Sequence, residues 1–398
     1  MIVQEAYMVF GILKDTKAGE HRVVCTPVEV KSIASAGHKV IAQSSCGKMA
    51  GFADEKYAAA GAEVVDSVAE IWQRCDMVAK VKEFSADEYP MIREGQILLG
   101  CIHPAANREQ VNALLESRCI AFTAEDSHRY GSPNCEAAGK QGALFGLESM
   151  LTTNGGKGKF PGGFAGSPRT NALVLGGGLV GRGALDVLCA LGACCTVLDV
   201  NLGVLRMLQD RYSGKISTGF CSKEKISELL PDMDMVLNCV KWQKERKDFL
   251  IDRRMLRLME QGSVIVDISG DTPGAIETTG KFAEGRIRYV TDGVVHFCSP
   301  NIPGAVANSA SVAYAAELLP MILSILNDGV RAACIKDGFV RRSLTVYRGY
   351  LTHEETSALQ NRPWARPEDI LDINGSAIDT APPATPTRSV KFYDKINL

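Results

Sequence analysis

Short apolar runs separated by amphipathic stretches set the rhythm of the first 125 residues. MVFGIL (8–13), HKVIAQ (38–43), DMVAKVK (76–82), QILLGCI (96–102) and CIAFTAE (119–125) have the length and apolar character of strands. Helical stretches lie between them. In TPVEVKSIASAG, Thr26 offers an N-cap hydroxyl and Pro27 suits the first helical position. Alternation of this kind predicts a parallel sheet with helical crossovers. A further helix is predicted over 136–151, and TTNGGKGKFPGGFAGSPRT (152–170) then reads as a loop beside a domain hinge. From residue 171 a second series begins, with NALVLGGG, CCTVLDV, KISTGF, MDMVLNCV and GSVIVDIS as its strands. After a crossing near 308, SASVAYAAELLPMILSIL predicts a long, largely buried helix, and the Pro-, Ser- and Thr-rich tail from about 362 reads as a wrapped or mobile appendage. The fold class is therefore α/β, with two doubly wound parallel-sheet domains and a cleft between them.

A chain of 398 residues supports two cores, since single cores stop growing at roughly 250–300 residues. A net charge of -2 and a pI near 6.3 give no electrostatic case for nucleic acid or an anionic membrane as partner. No uninterrupted apolar run reaches the roughly 18 residues of a membrane span. The first residues, MIVQEAYMVFGIL, lack the basic and small-residue features of a secretion signal. The 13 cysteines are scattered without a CxxC pair, so a reducing cytoplasm fits better than a disulfide framework, and no metal site is expected.

VLGGGLVGRGALDVL carries the strongest single motif. Gly176, Gly178 and Gly181 form GxGxxG between an apolar strand and a helix. Such glycines permit a tight turn, close approach of backbone to a pyrophosphate, and close helix–strand packing. The next strand ends at Asp199, 18 residues after Gly181, where a carboxylate suits the ribose 2′-hydroxyl of NAD and repels the 2′-phosphate of NADP.

Hydride transfer at an amino or oxo carbon also needs a cation for a carboxylate, a proton donor and a base. Four candidates lie near strand ends: Arg22 in GEHRVVCTP, Lys82 in KVKEF, His103 in GCIHPAAN and Asp271 in DISGDTPG. Singly, each also suits a surface cation, a solvated strand end, a helix-start histidine or a turn residue.

Together they resemble the alanine dehydrogenase and nicotinamide nucleotide transhydrogenase family. The resemblance runs from about Phe10 to Thr352 through GEHRVVCTP, GHKV, GFADEKYAAAGAEVV, DMVAKVKE, EGQILLGCIHPAA, VLGGGLVGRGA, CTVLDVN, SVIVDIS and DGVVHFCSPNIPGAV. It implies two Rossmann-like domains: residues 1–131 with 309–398 for the substrate, and 132–308 for NAD. It implies that Arg22 and Lys82 grip the carboxylate and oxo group of a small 2-oxo acid or amino acid. It makes His103 the general acid/base and Asp271 its partner. Cofactor contacts would fall at Cys135, where the family has serine, at Val240 and Ser269, and at Asn301. The family usually assembles as an oligomer, so a homo-oligomer is expected.

The implied function is an NAD-dependent amino-acid dehydrogenase that interconverts an L-amino acid and its 2-oxo acid plus ammonia. Local departures keep an opine-type alternative open, in which a diamino acid supplies the nitrogen. His103-Pro104 and Pro300-Asn301 resemble N5-(carboxyethyl)ornithine synthases, and Asn238-Cys239 and Ser269-Gly-Asp271-Thr272 resemble saccharopine dehydrogenases. A nicotinamide-binding regulator without turnover and a transhydrogenase subunit are further alternatives. The departure is greatest at QKERKD (243–248), just after the fourth strand of the second series. Asn238–Lys241 are expected beside nicotinamide and Trp242 on a cleft wall, where Trp242→Ala would change substrate preference more than NADH affinity.

Overall fold

The computed structural model describes residues 7–242, 246–270, 274–280 and 287–382. Asp271 and residues 243–245 of the charged run lie outside the described residues, as does the tail beyond 382. In chain order the strands are β1 (Val9–Ile12), β2 (Lys39–Gln43), β3 (Ala62–Val65), β4 (Met77–Ala79), β5 (Ile97–Gly100), β6 (Ile120–Thr123), β7 (Asn171–Leu175), β8 (Cys194–Asp199), β9 (Ile216–Phe220), β10 (Met235–Asn238), β11 (Val264–Asp267), β12 (Arg288–Thr291), β13 (Val294–Cys298), β14 (Leu344–Tyr347) and β15 (Tyr350–Leu351). Two compact units result. One joins the stretch ending at Pro133 to the stretch beginning at Gly304; the other spans Asn134–Pro303.

The first unit holds a sheet of order β15-β14-β6-β5-β4-β1-β2-β3. β1 to β6 are parallel, and β14 joins β6 antiparallel. Strand order reverses at β1 and β4, which pair directly although β2 and β3 intervene in sequence. Loops that leave such neighbours diverge and open a crevice at the carboxyl ends of the strands. The first helix, Pro27–Ser35, starts as its sequence predicts. Thr26 Oγ1 accepts from Val28 N, and Glu29 Oε2 accepts from Thr26 N at 2.9 Å, which completes a capping box.

The long helix, Ala307–Lys336, packs Tyr314, Leu318, Ile322 and Ile325, all fully buried, into the core with Phe10, Val40 and Leu99. The segment Ile302–Lys336 is long and apolar enough to cross a membrane by length and composition, with mean hydropathy 1.6. Asn308, Ser311 and Glu317 interrupt its apolar run while leaving the mean high, so no single uninterrupted run marks it in the sequence. Its buried face belongs to the core of this unit.

β3, β12, β13, β14 and β15 are additions to the predicted elements. β3 is half-buried along most of its length, so its polar–apolar alternation is weak. β14 and β15 come from the far end of the chain and complete the sheet edge. The tail beyond 362 is wrapped as far as it is described. Leu371 and Ile373 are buried, Arg341 Nε donates to Glu368 Oε1 at 2.9 Å, and Asp379 Oδ2 accepts from Gly338 N at 3.0 Å.

His128, just after β6, is 6% exposed, and neither ring nitrogen finds a hydrogen-bond partner among the described residues. Its Nδ1 lies 3.9 Å from Glu317 Oε1. Burial pushes its pKa down to about 4, outweighing the opposing charge of Asp126. The native imidazole is therefore neutral, whereas in the unfolded chain it takes a proton once pH falls below the ordinary value near 6.5. Stability is lost as pH falls between those values, up to about 3 kcal/mol from this group. Denaturant midpoints at pH 7 and pH 4.5 should show a smaller acid loss for His128→Leu than for the wild type. Equal losses would show that His128 is not the group responsible.

The second unit holds a sheet of order β12-β13-β11-β10-β7-β8-β9, parallel except for β12. β7 sits beside β10, so strand order reverses at that pair. The helix Pro133–Ser149 lies close to the next helix, Leu179–Ala190. A Cβ on Gly139 would stand 1.9 Å from Val180 O, so only glycine permits this approach. Among the described residues, no disulfide joins any of the 13 cysteines.

Candidate active site

In the first unit, the reversal point gathers three of the predicted residues. Gly100, the last residue of β5, has backbone from the β4 loop against its α-carbon. A Cβ there would stand 3.0 Å from Lys82 O and 3.2 Å from Lys80 O. This approach brings the Lys82 loop alongside the Cys101–His103 loop. Asp15 Oδ2, after β1, accepts from Lys82 N at 2.7 Å and ties the third loop to the same place.

His103 has φ +42°, an unfavourable conformation for a residue with a Cβ. Two carboxylates hold it. Glu125 Oε1 accepts from His103 N at 2.8 Å, and Glu83 Oε1 lies 2.9 Å from His103 Nδ1. Glu83 Oε2 accepts from Lys17 Nζ at 2.8 Å. Burial alone would raise the Glu83 pKa. The hydrogen bond and charge of His103, with help from Lys17, outweigh it and hold the carboxyl well below the usual carboxylate range. An ionised Glu83 only accepts, so Nδ1 carries the hydrogen and Nε2 is left to exchange protons. The His103 side chain is 42% exposed, so it is open to solutes.

Arg22 is placed more deeply. It is 3% exposed and forms a bidentate pair with Glu20, Nε to Oε1 at 2.7 Å and Nη2 to Oε2 at 2.5 Å. The hydrogen bonds and charge of Glu20 more than offset burial and keep the guanidinium charged. Lys82 is half-buried, and no carboxylate pairs with its ammonium among the described residues. Cys101 Sγ lies 3.1 Å from Tyr314 Oη. Burial, then the charge of Glu125, pushes the Cys101 thiol up to about 12, while Lys82 and Arg22 pull the other way. The charges of both cations and of Glu125 are thus felt at one buried thiol. Nearby, His21, Met49 and Gly304–Ser309 line a hollow of about 430 Å³.

Sequence reasoning missed Glu20, Glu83, Glu125 and Tyr314 as parts of this cluster. The available signal was adjacency, since Glu83 follows Lys82 and Glu20 stands two residues before Arg22. Among the described residues, no group of three or more His, Cys, Asp or Glu is arranged to hold a metal ion.

In the second unit, the glycine turn follows β7 at the reversal point. Gly176 has φ +89°, and a Cβ there would crowd Val240 Cγ2 at 3.1 Å and Cys239 O at 3.2 Å. A Cβ on Gly181 would meet Gly176 O at 1.9 Å, so helix and turn touch only because residue 181 is glycine. Gly178 is the N-cap of the helix and makes no side-chain cap, and nothing stands within 4 Å of the Cβ position. Open space therefore lies before the helix N-terminus, whose N–H groups favour an anion. Asp199 is fixed from two sides: Oδ2 accepts from Gly177 N at 2.7 Å and Oδ1 from Asn201 N at 2.8 Å. Each oxygen keeps accepting capacity for a hydroxyl. These residues fit a dinucleotide.

Val240 O accepts from Ser269 Oγ, and Gly270 lies against Ser299 O, which brings the ends of β7, β10, β11 and β13 together. Behind them, fully buried Asn238 donates to Asp267 Oδ1 at 2.8 Å. Cys135 is half-buried in the first turn of Pro133–Ser149, and Asn301 is half-buried after β13.

Trp242 is not on an exposed wall. It is 3% exposed and packs with Leu250, Ile251, Leu230 and Val236 in the core beside β10. The Arg246 guanidinium covers its ring at 4.4 Å and pairs with Asp248. The charged run is thus partly a cover for a buried indole, while Lys247 and Asp248 are exposed.

Known proteins resemble this chain over most of its length. Residues 11–133 match the alanine dehydrogenase/PNT N-terminal domain, and residues 143–354 match the corresponding C-terminal domain. An alanine dehydrogenase of Methanococcus maripaludis is 32% identical over 372 residues, covering 92% of this chain and 100% of that protein. One of Halomonas elongata is 34% identical over 352 residues, covering 87% and 95%. A solved L-alanine dehydrogenase superposes with TM-score 0.83 at 31% identity, over 89% of this chain and 99% of that one. A transhydrogenase from Sinorhizobium meliloti, 22% identical, shares the fold with TM-score 0.70, over 87% and 99%.

Proposed function

Because the chain belongs to the alanine dehydrogenase/PNT family and is an oxidoreductase acting on the CH–NH2 group of amino acids, we propose that it interconverts a small L-amino acid with its 2-oxo acid and ammonia, using NAD. The observation that carries this reading is the cluster at the first reversal point. A histidine with a fixed tautomer stands there with two cations, a set suited to a 2-oxo acid.

In this reading, Lys82 donates to the oxo oxygen and lowers the cost of negative charge developing on it. Arg22, locked to Glu20, supplies positive potential for the substrate carboxylate. His103 Nε2 exchanges the proton that the carbinolamine must gain or lose as water leaves or enters, with Asp271 as its partner. Gly176, Gly178 and Gly181 would hold the pyrophosphate and Asp199 the ribose; Cys135, Val240, Ser269 and Asn301 would lie on the nicotinamide side. NAD, when bound, supplies or accepts the hydride. The same reading makes the first unit the substrate domain and the second the cofactor domain of a cytoplasmic homo-oligomer. The scattered cysteines, without a CxxC pair, support a reducing compartment.

The test is initial-rate oxidation of NADH and NADPH with pyruvate and ammonium, followed by other small 2-oxo acids. Turnover with NADH well above that with NADPH is expected, because Asp199 would face a 2′-phosphate with like charge. Turnover only when a diamino acid replaces ammonium would give the opine-type reaction instead.

A further inference from the structure

The carboxylates around His103 differ in how their oxygens are used. Glu20 places both on Arg22. Glu83 gives one to His103 and one to Lys17. Glu125 gives Oε1 to the His103 N–H, while its Oε2 is buried with no hydrogen-bond partner among the described residues. A buried carboxylate oxygen without a donor is costly and calls for an explanation.

The nitrogen donor of the proposed reaction supplies what this oxygen lacks. Ammonium, like the protonated amine of an amino acid, is a small cation that carries only donors. Lys82, with no carboxylate on its ammonium among the described residues, repels such a cation, so an acceptor is needed close to it. Glu125 meets both requirements, because it holds the His103 backbone in the loop that lies alongside the Lys82 loop. Its other oxygen fixes the His103 backbone, so the nitrogen would be delivered at a set position relative to the proton-exchanging histidine.

We propose that Glu125 Oε2 binds and orients the nitrogen donor, as ammonium or a primary ammonium group, beside the 2-oxo acid. The inference rests on the function proposed above.

Glu125→Gln separates binding from positioning, because the amide oxygen still accepts from His103 N while the charge is removed. With ammonium chloride varied at saturating NADH and oxo acid, its KM is expected to rise roughly ten- to a hundredfold, as for loss of a charge-assisted hydrogen bond. The KM for the oxo acid should stay within about threefold. Glu125→Ala, which also releases His103, should lose kcat in addition. An unchanged KM for ammonium in Glu125→Gln, or equal increases for both substrates, overturns the inference. If Glu125→Gln fails to fold, the wild type decides. Rubidium, close to ammonium in size, should compete with ammonium and not with the oxo acid; no inhibition, or competition with the oxo acid, overturns it. Where only a diamino acid supports turnover, that donor replaces ammonium in the same comparisons. A wild type inactive with every nitrogen donor overturns both readings, whereas an active wild type with an indifferent Glu125 overturns only this one.

Discussion

Replacing His103 with alanine is expected to lower kcat by roughly 10²- to 10⁴-fold, the usual contribution of a positioned general acid/base. NADH affinity should change little, because the glycine turn and Asp199 lie in the other unit. The same geometry assigns a smaller effect to its neighbour. Glu83→Gln replaces the ionised acceptor at Nδ1 by a neutral amide and leaves the imidazole free to adopt either tautomer. A loss of about tenfold in kcat, with less effect on KM, is the expected size for a positioning group of this kind. Fluorescence titration with NADH and initial rates together check both variants. A His103→Ala enzyme with near-normal kcat would remove the histidine from the chemistry.

The second large effect concerns stability. Trp242→Ala should cost about 3–5 kcal/mol, the range for deletion of a buried aromatic side chain. The indole is 3% exposed within an apolar cluster, and the guanidinium of Arg246 over its face also loses its partner. Trp242→Phe should recover most of that loss. Denaturant unfolding measures it, and kinetics at a temperature where the variant remains folded should show little change in oxo acid or amine preference. A shift in preference without a loss of stability would restore the reading of Trp242 as a substrate-facing residue.

Trp242 also shows where sequence reasoning stops. The strand before it was readable from its apolar run, and a charged run after it looked like solvated loop. Nothing in the pattern says that one indole folds back beneath an arginine. The glycines at 176, 178 and 181 were legible for the opposite reason. Gly176 and Gly181 are required by local close approaches and Gly178 leaves the helix N-terminus open, so their spacing in sequence already implies the turn. β3 was missed because its half-buried pattern barely alternates, and β14 because it pairs with a strand more than two hundred residues earlier. The tail looked polar on average, yet buried Leu371 and Ile373, with polar ties such as Arg341 to Glu368, dock it.

The candidate site was half legible. Arg22, Lys82 and His103 stand in the loops that follow strands β1, β4 and β5, where doubly wound sheets place functional groups. Glu83 and Glu125 stand beside them, but a carboxylate in a loop looks the same whether it is solvated or holds a histidine. Only the close approach at Gly100 and the left-handed backbone of His103 reveal the difference.

The central claim is that hydride reaches the carbon that also receives nitrogen. NADH deuterated at the transferred C4 position, incubated with the enzyme, pyruvate and ammonium, tests it by mass spectrometry of the product. The account predicts L-alanine carrying one deuterium on Cα. Deuterium found only in a 2-hydroxy acid, or no transfer to any product, would contradict it.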